Sequence, residues 1–361
     1  MVKKVSIGAV GFGLGQIETL AKPIQQDYSN PNEADLPITL RSNENPYGPS
    51  PLAQTEMAKN INKSNRYGWK ITSELINEIA KKENVKVSNI LTGAGSTKLL
   101  ELVFLHAALK KGSFVIAEPT YDYWTNSSKN FRFTKISVQL NSNKEHDLSA
   151  MLAVIKPDTK LIYICNPNNP TGTICKKTAL ISFINKIPKN IIVLVDEAYI
   201  DFTNEESLSS EVSKNDNLII TKTFSKLYGL AGARIGYAIA NETVVNELSQ
   251  LQSWPNGSVS AVSAAGALAS LKDNKFKEKS YFLNEKAKKY TIEQLEKLNI
   301  TCIPTNANFI YFSLSKYKKD FFKQLEMNSI LGTKIYEEKG KWSRITIGTM
   351  AEMQLFITAL Q

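Results

Sequence analysis

The sequence is short of the residues on which most metal and triad chemistry depends. Its 361 residues include only two histidines, His106 and His146, and three cysteines. Cys165, Cys175 and Cys302 are odd in number and lack any Cys-x-x-Cys spacing, which argues against a disulfide framework and against a thiolate metal site. His106 falls in a helix-like apolar segment and His146 in a polar loop, so neither a histidine-based triad nor a His-rich metal centre is expected. No apolar run approaches the roughly 20 residues of a membrane span. Arginine occurs only at Arg41, Arg66, Arg132, Arg234 and Arg344. The formal net charge of +10 therefore rests on lysine spread along the chain, without a basic tail or dense basic run. That pattern is a solvated surface and argues against a nucleic-acid partner, while its field favours anionic small molecules.

What is present is ordinary for a globular protein, at 42% hydrophobic and 22% charged residues. The length calls for two domains, or one large domain with a satellite. Residues 1–37 read as an amino-terminal arm, mobile or partner-contacting. Lys3 and Lys4 precede an apolar glycine-rich run, with Ala21-Lys-Pro23 beyond it, so a truncated export signal is the second reading of a chain otherwise expected in the cytoplasm. Gly11-Phe-Gly-Leu-Gly15 imitates a dinucleotide turn, yet Pro23 and the polar stretch Gln25 to Asp35 interrupt the unit such a turn needs.

From Ile38 a regular alternation is expected. A turn-rich loop, Ser42-Asn-Glu-Asn-Pro-Tyr-Gly-Pro-Ser-Pro51, precedes an aromatic-basic cluster, Arg66-Tyr-Gly-Trp69, and a helix over 71–82. Thr92-Gly-Ala-Gly-Ser-Thr-Lys98 then feeds an apolar helix reaching Leu109, and a glycine loop at a helix start is a ready anion site. Strands are expected over 114–117, 133–140, 160–165, 191–195, 217–222 and 234–240, with helices opening near Tyr121 and spanning 148–155 and 178–186. Apolar strands without alternation, separated by helices, imply an α/β fold: a mostly parallel sheet covered on both faces. Polar clusters end these strands repeatedly, where open α/β sheets gather ligands. The large domain is placed at 38–255. A smaller α+β domain follows over 256–361, mostly helical to Leu298, with strands near Thr301 and over 309–313, a helix over 317–327 and Arg344-Ile-Thr-Ile-Gly348 before a last helix.

One stretch organises these clusters. Thr221 to Tyr237 sets Lys226 among hydroxyls and glycines, with Arg234 eight positions on. A lysine flanked by Ser225 and Leu227 can be a surface residue, but Thr223, Ser225, Gly229, Gly232 and Gly236 beside an arginine fork suit a phosphate. A lysine beside a phosphate cradle suggests a Schiff base to pyridoxal phosphate. That cofactor needs a buried carboxylate for its ring nitrogen, and Asp196 ends an apolar strand. Asn169 and Tyr199 are available for its phenolic oxygen and Tyr121 for its ring face. Gly95, Ser96, Thr97, Thr223, Ser225 and Arg234 are available for its phosphate.

With these residues in view, the chain resembles a fold type I pyridoxal-phosphate aminotransferase of class I/II, and is most similar to the histidinol-phosphate aminotransferase family. The motifs carrying the resemblance are Asn43-Glu-Asn-Pro-Tyr-Gly-Pro-Ser-Pro51, Asn65-Arg-Tyr67, Pro119-Thr-Tyr121, Asn166-Pro-Asn-Asn-Pro-Thr-Gly172, Asp196-Glu-Ala-Tyr199, Ser225-Lys226 with Ala231-Gly-Ala-Arg-Ile-Gly-Tyr237, Ala307-Asn-Phe309 and Arg344-Ile-Thr-Ile-Gly-Thr349. They run in the family's order from about residue 38 to the carboxyl terminus. The resemblance implies Lys226, Asp196 and Tyr199 as catalytic residues, with Lys226 moving the proton. Asp196 would hold the ring nitrogen, Tyr199 and Asn169 the phenolic oxygen, and Tyr121 the ring face. Tyr67 would reach the cofactor phosphate of a neighbouring subunit, which implies a homodimer with shared sites. Arg344, with Asn45 and Tyr47, would bind substrate, and Asn169-Pro170 would be cis as in relatives. The implied reaction passes an amino group from a donor to a 2-oxo acid, with histidinol phosphate and 2-oxoglutarate as the leading pair. An aromatic amino acid aminotransferase and a phosphothreonine-type decarboxylase are the alternatives. Relatives that accept histidinol phosphate carry an arginine where this chain has Gly332, with Lys334 two residues on as a possible substitute.

Overall fold

The computed structural model describes residues 37–256 and 258–361. Apart from Pro37, the expected arm with its signal-like start and its Gly11–Gly15 turn lies outside the described residues.

The chain opens with β1 (Ile38–Thr39) and α1 (Pro51–Ile61), the latter starting where the Ser50 side chain accepts from the Ala53 amide and a proline occupies the first turn. α2 (Trp69–Glu83) buries Thr72, Leu75, Ile76, Ile79, Ala80 and Glu83, the stripe of an amphipathic helix, and stops at Asn84 in the left-handed region. Then come β2 (Ile90–Gly93), α3 (Ser96–Ala108), β3 (Gly112–Glu118), β4 (Phe133–Gln139), α4 (Leu148–Ala153), β5 (Thr159–Cys165), α5 (Lys177–Ile184), β6 (Ile192–Asp196), β7 (Leu218–Thr223) and β8 (Gly236–Ala240). The helix expected to open near Tyr121 is a 3-10 helix, Tyr123–Phe131. The strand expected from Arg234 starts instead at Gly236, because Arg234 adopts a positive φ of 52° that a strand cannot hold.

The strands from β2 to β8 form one seven-stranded sheet of order β2-β8-β7-β6-β5-β3-β4. Neighbours from β7 to β4 are parallel, and β8 is antiparallel to both β7 and β2. Both faces are covered, which is why the strands read as continuous apolar runs. On β5, Leu161, Tyr163 and Cys165 pack with Phe104, Phe114 and Trp124, while Ile162 and Ile164 pack with Leu180 and Phe183 on the other face. The sheet direction has a consequence for function. The carboxyl ends of β2, β3, β5, β6 and β7 share one edge, and the antiparallel β8 begins there, so Arg234 joins them.

The remainder comprises α6 (Glu242–Gln250), α7 (Ala261–Lys272), α8 (Asn274–Lys297), β9 (Thr301–Cys302), β10 (Phe309–Ser313), α9 (Phe321–Met327), β11 (Ile330–Leu331), β12 (Ile335–Glu337), β13 (Trp342–Thr346) and α10 (Met350–Leu360). α9 begins four residues later than expected, where the Asp320 side chain accepts from the Lys323 amide. α7 packs on α1 and α2. β12-β13-β10-β9 make an antiparallel sheet, and β11 pairs in parallel with β1. Leu40 thereby enters a core with Ile310, Phe312, Ile345 and Phe356. No helix among the described residues is long and apolar enough to cross a membrane.

Candidate active site

The shared edge of the sheet, the loop over 41–44 and Arg344 in the middle of β13 line a cavity of about 680 Å³. Lys226, Asp196, Tyr199, Asn169, Tyr121, Ser96, Thr97, Thr223, Ser225, Arg234 and Arg344 all line it. Residues scattered over some 250 positions thus meet because five strand ends, the start of β8 and the middle of β13 meet.

Lys226 lies three residues past β7, and its Nζ donates to the Ser42 carbonyl at 3.0 Å and sits 5.6 Å from the Tyr199 ring centre. Burial, then the Arg344 charge, lowers its pKa to about 8. A useful fraction of neutral amine therefore exists near neutral pH. Asp196, only 2% exposed, ends β6. Its carboxylate accepts from Thr221 Oγ1 at 3.0 Å and Tyr163 Oη at 3.3 Å. Burial outweighs these donors and raises its pKa to about 6.

Tyr199 shows how local amides set a proton's direction. Its oxygen accepts from Asn43 Nδ2 at 2.9 Å and from Asn169 Nδ2 at 3.3 Å. With two amides donating to it, the phenol's own O–H is free to donate into the cavity. Burial pushes its pKa up, so it stays protonated. Arg344 Nη1 fixes the Asn169 amide by donating to Oδ1 at 2.6 Å, and Arg344 Nη2 donates to the Arg41 carbonyl. The guanidinium lies between the Phe309 and Tyr336 rings, 5.3 and 5.6 Å from their centres, and its buried Nε has no protein partner.

The opposite end is an anion cradle. α3 starts after Gly95 (φ 84°) with no side-chain cap, so its first amides are free for a ligand. A Cβ on Gly95 would stand 2.4 Å from Arg234 Nη2, so only glycine lets the fork lie against the helix start. Arg234 Nη1 donates to Ser225 Oγ at 3.4 Å, and Thr97 Oγ1 and Tyr121 Oη are 2.9 Å apart. A buried carboxylate, a free phenol proton, an aromatic face and a phosphate cradle within reach of a depressed amine fit pyridoxal phosphate. The fold and these donors define a pyridoxal-phosphate-dependent enzyme of fold type I.

The family model for aminotransferase class I and II matches residues 37–360. Histidinol-phosphate aminotransferase of Moorella thermoacetica is 34% identical over 345 residues, 94% of this chain and 88% of that protein. A solved structure described as a putative histidinol-phosphate aminotransferase from Erwinia carotovora atroseptica superposes with a TM-score of 0.84 at 30% identity, covering 90% of this chain and 95% of the other. The histidinol-phosphate aminotransferase of Sinorhizobium meliloti, solved with pyridoxal-5'-phosphate, shares the fold with a TM-score of 0.81 at 21% identity over 90% of each chain. The chain belongs to the class I and II aminotransferase family, and it is a pyridoxal-phosphate-dependent aminotransferase.

Four expected site residues, Gly95, Asn45, Tyr47 and Tyr67, lie outside the cavity wall, Gly95 standing just behind it at the start of α3. The Asn45 amide donates to the Leu227 carbonyl at 2.8 Å and to Ser280 Oγ at 2.7 Å, and its Oδ1 accepts from the Tyr47 amide. Asn45 thus holds the loop after Lys226. Tyr67 is 69% exposed and packs edge-on against Trp254 at 4.6 Å, beside a separate cavity. His146, read as part of a polar loop, is buried, with Nε2 2.9 Å from the Cys165 carbonyl. Sequence reasoning missed Asn43, Tyr163, Thr221 and Tyr336. Thr221 had a signal, since period 2 puts it on the face of Thr223. Tyr163 had none, because its place beside Asp196 depends on the register that pairs Cys165 with Asp196.

Proposed function

We propose that this aminotransferase acts on histidinol phosphate and 2-oxoglutarate, with Lys226 as the acid–base that moves the substrate's α-proton. The observation carrying the reading is the convergence of a lysine amine lowered to about 8 with a buried carboxylate and an uncapped helix start in one cavity. When bound, pyridoxal phosphate supplies a ring that accepts the electrons left as the substrate Cα–H bond breaks. Asp196, held by Thr221 and Tyr163, keeps the proton on the ring nitrogen. Tyr199 donates its free O–H to the phenolic oxygen, and Asn169 supports that tyrosine. Gly95, Ser96, Thr97, Thr223, Ser225 and Arg234 hold the phosphate, and Tyr121 covers one ring face. Lys226 Nζ, in its neutral form, would take the proton from the substrate Cα and return it two atoms along, at the cofactor carbon C4′ on the far side of the amino nitrogen. Arg344 binds the anionic group of the incoming substrate beside Asn169. Asn45 and Tyr47 act by bracing the Leu227 side of the site.

The curated relatives that this chain matches over nine-tenths of its length support histidinol phosphate as donor. A second reading, an aromatic amino acid donor, is favoured by the cavity wall. Gly332 leaves no fork donor there, a Cβ on it would collide with Leu325 Cδ1 at 2.5 Å, and Tyr123 and Tyr336 offer aromatic surface. Loss of the cofactor's visible absorption, recorded with a donor panel, separates the readings. Histidinol phosphate should remove the band at far lower concentration than phenylalanine or tyrosine. The reverse order would transfer the assignment to aromatic amino acids, and carbon dioxide release without an oxo product would transfer it to a lyase.

We also infer a cytoplasmic homodimer in which residues 38–255 form most of the cofactor domain and 256–361 most of the smaller one, Ile38 and Leu40 packing in the smaller core and Ala264, Ala267 and Leu268 in the larger. The exposed cluster of Tyr67, Trp69 and Trp254 supports a covered face, with Tyr67 completing the partner's phosphate site. Light scattering should give twice the chain mass, and Tyr67→Ala should weaken cofactor binding; a monomer with full cofactor affinity would refute both.

A further inference from the structure

Lys144 lies outside the cavity, yet it touches both of the walls that carry substrate-facing groups. The turn over 141–145 is closed by the Asn141 side chain, whose Oδ1 accepts from the amides of Asn143 at 2.9 Å and Glu145 at 3.0 Å. Lys144 holds φ 62° at the tip, and its carbonyl accepts from Thr173 Oγ1 at 2.7 Å. Thr173 is 2.7 Å from Thr171 Oγ1, which accepts from Asn168 Nδ2 at 2.9 Å. The backbone of Lys144 is therefore tied to the loop that presents Asn169.

Its side chain reaches the other wall. Lys144 Nζ lies 2.7 Å from Glu337 Oε2, with both side chains about four-fifths buried, and 5.0 Å from the Trp342 ring centre. Glu337 Oε1 accepts from Tyr311 Oη at 2.7 Å, and Tyr311 stacks on Trp342 at 5.2 Å and 14°. Lysine, carboxylate, tyrosine and tryptophan close a ring of contacts. Glu337 ends β12, a three-residue edge strand whose register shifts between Ile335 and Glu337. Edge strands this short hold their place poorly by ladder bonds alone. The neighbouring Tyr336 lies under Arg344, and Lys334 and Tyr336 line the cavity.

We propose that the Lys144–Glu337 pair is a strut that positions β12 across from the Asn169 loop, so that both residues act as positioning residues for substrate binding through Tyr336, Lys334 and Arg344. The inference rests on the aminotransferase reading and deepens it. Losing the strut releases the wall that meets the substrate's distal anionic part, leaving the Asp196 and Ser225 side of the site intact.

The test uses the full-length holoenzyme and compares wild type, Lys144→Met, Glu337→Gln and the exchanged double variant K144E/E337K, each with glutamate and histidinol phosphate as donors. Either single variant should raise donor KM about five- to tenfold, with kcat within about twofold and the cofactor's absorption band and affinity unchanged. The exchanged pair should bring KM back to within about threefold of wild type. A merely structural role predicts lowered melting temperature and kcat without that KM-against-kcat split or rescue, and this outcome overturns the proposal. So does an unchanged KM in both single variants while wild type turns over normally. A wild type that responds to no amino donor removes the aminotransferase reading, and this inference with it.

Discussion

At the scale of single residues the site is governed by two groups displaced from their ordinary protonation. Lys226→Ala should retain cofactor, because the cradle and Asp196 remain, while turnover falls at least about 10³-fold for want of a proton carrier. Single-turnover rates with saturating donor check this. Asp196 is poised at about 6 in the cofactor-free protein, neutral below that pH and anionic above it. A cationic ring nitrogen needs the anion, so cofactor affinity should fall as pH drops below 6, approaching tenfold per unit. Titration of cofactor binding between pH 5 and 8 should show this limb, and Asp196→Asn should abolish it along with most turnover. The placement of Lys226 and Asp196 in the cavity was legible from residue type and strand-end position. The Asn43 and Asn169 amides that free the Tyr199 proton were not, since hydrogen-bond direction depends on which atoms face each other.

At the scale of elements, the cradle is a property of the turn between β2 and α3. Gly95 is glycine for two reasons, its φ of 84° and the 2.4 Å a Cβ would leave to Arg234 Nη2. Gly95→Ala should therefore displace the fork and raise the cofactor's dissociation constant at least about tenfold, corresponding to roughly 1.4 kcal/mol or more. Equilibrium dialysis with pyridoxal phosphate measures it, and pyridoxal lacking the phosphate should show little change if the damage is confined to the cradle. An equal loss for both ligands would count against the cradle. The helix after this turn and the neighbouring β8 were readable from their apolar patterns, whereas β2 was not among the expected strands. The positive φ of Arg234 was hidden, because arginine carries no local preference for that region.

For the whole molecule, acid sensitivity should report His146. It is buried with Nδ1 unpartnered, and burial lowers its pKa to about 4 from 6.5. The unfolded chain binds a proton there below about 6.5 that the folded chain refuses until about 4, so stability from this group is lost as pH falls through that window. Asp196 acts oppositely in the cofactor-free protein: its raised pKa makes its burial cost largest at neutral pH, and that cost is relieved between about 6 and 3.8. The two trends mask each other in wild type alone. Denaturant unfolding of wild type and His146→Gln, at pH 7 and pH 5, isolates the histidine. Wild type should lose about 2 kcal/mol more than the variant over that interval.

The amino-acid order by itself determined the α/β alternation, the strand ends as ligand positions and the identity of the lysine, carboxylate and arginines that meet there. These follow from local physics: continuous apolar runs demand burial on both faces, and polar residues at their ends cannot be buried with them. Only the tertiary structure decided that β8 runs antiparallel and so delivers Arg234, that Asn45 braces a loop instead of entering the cavity, that His146 is buried, and that Lys144 spans two walls. Each of these depends on strand order, register or a contact between residues far apart in sequence, for which no short stretch of chain carries a signal.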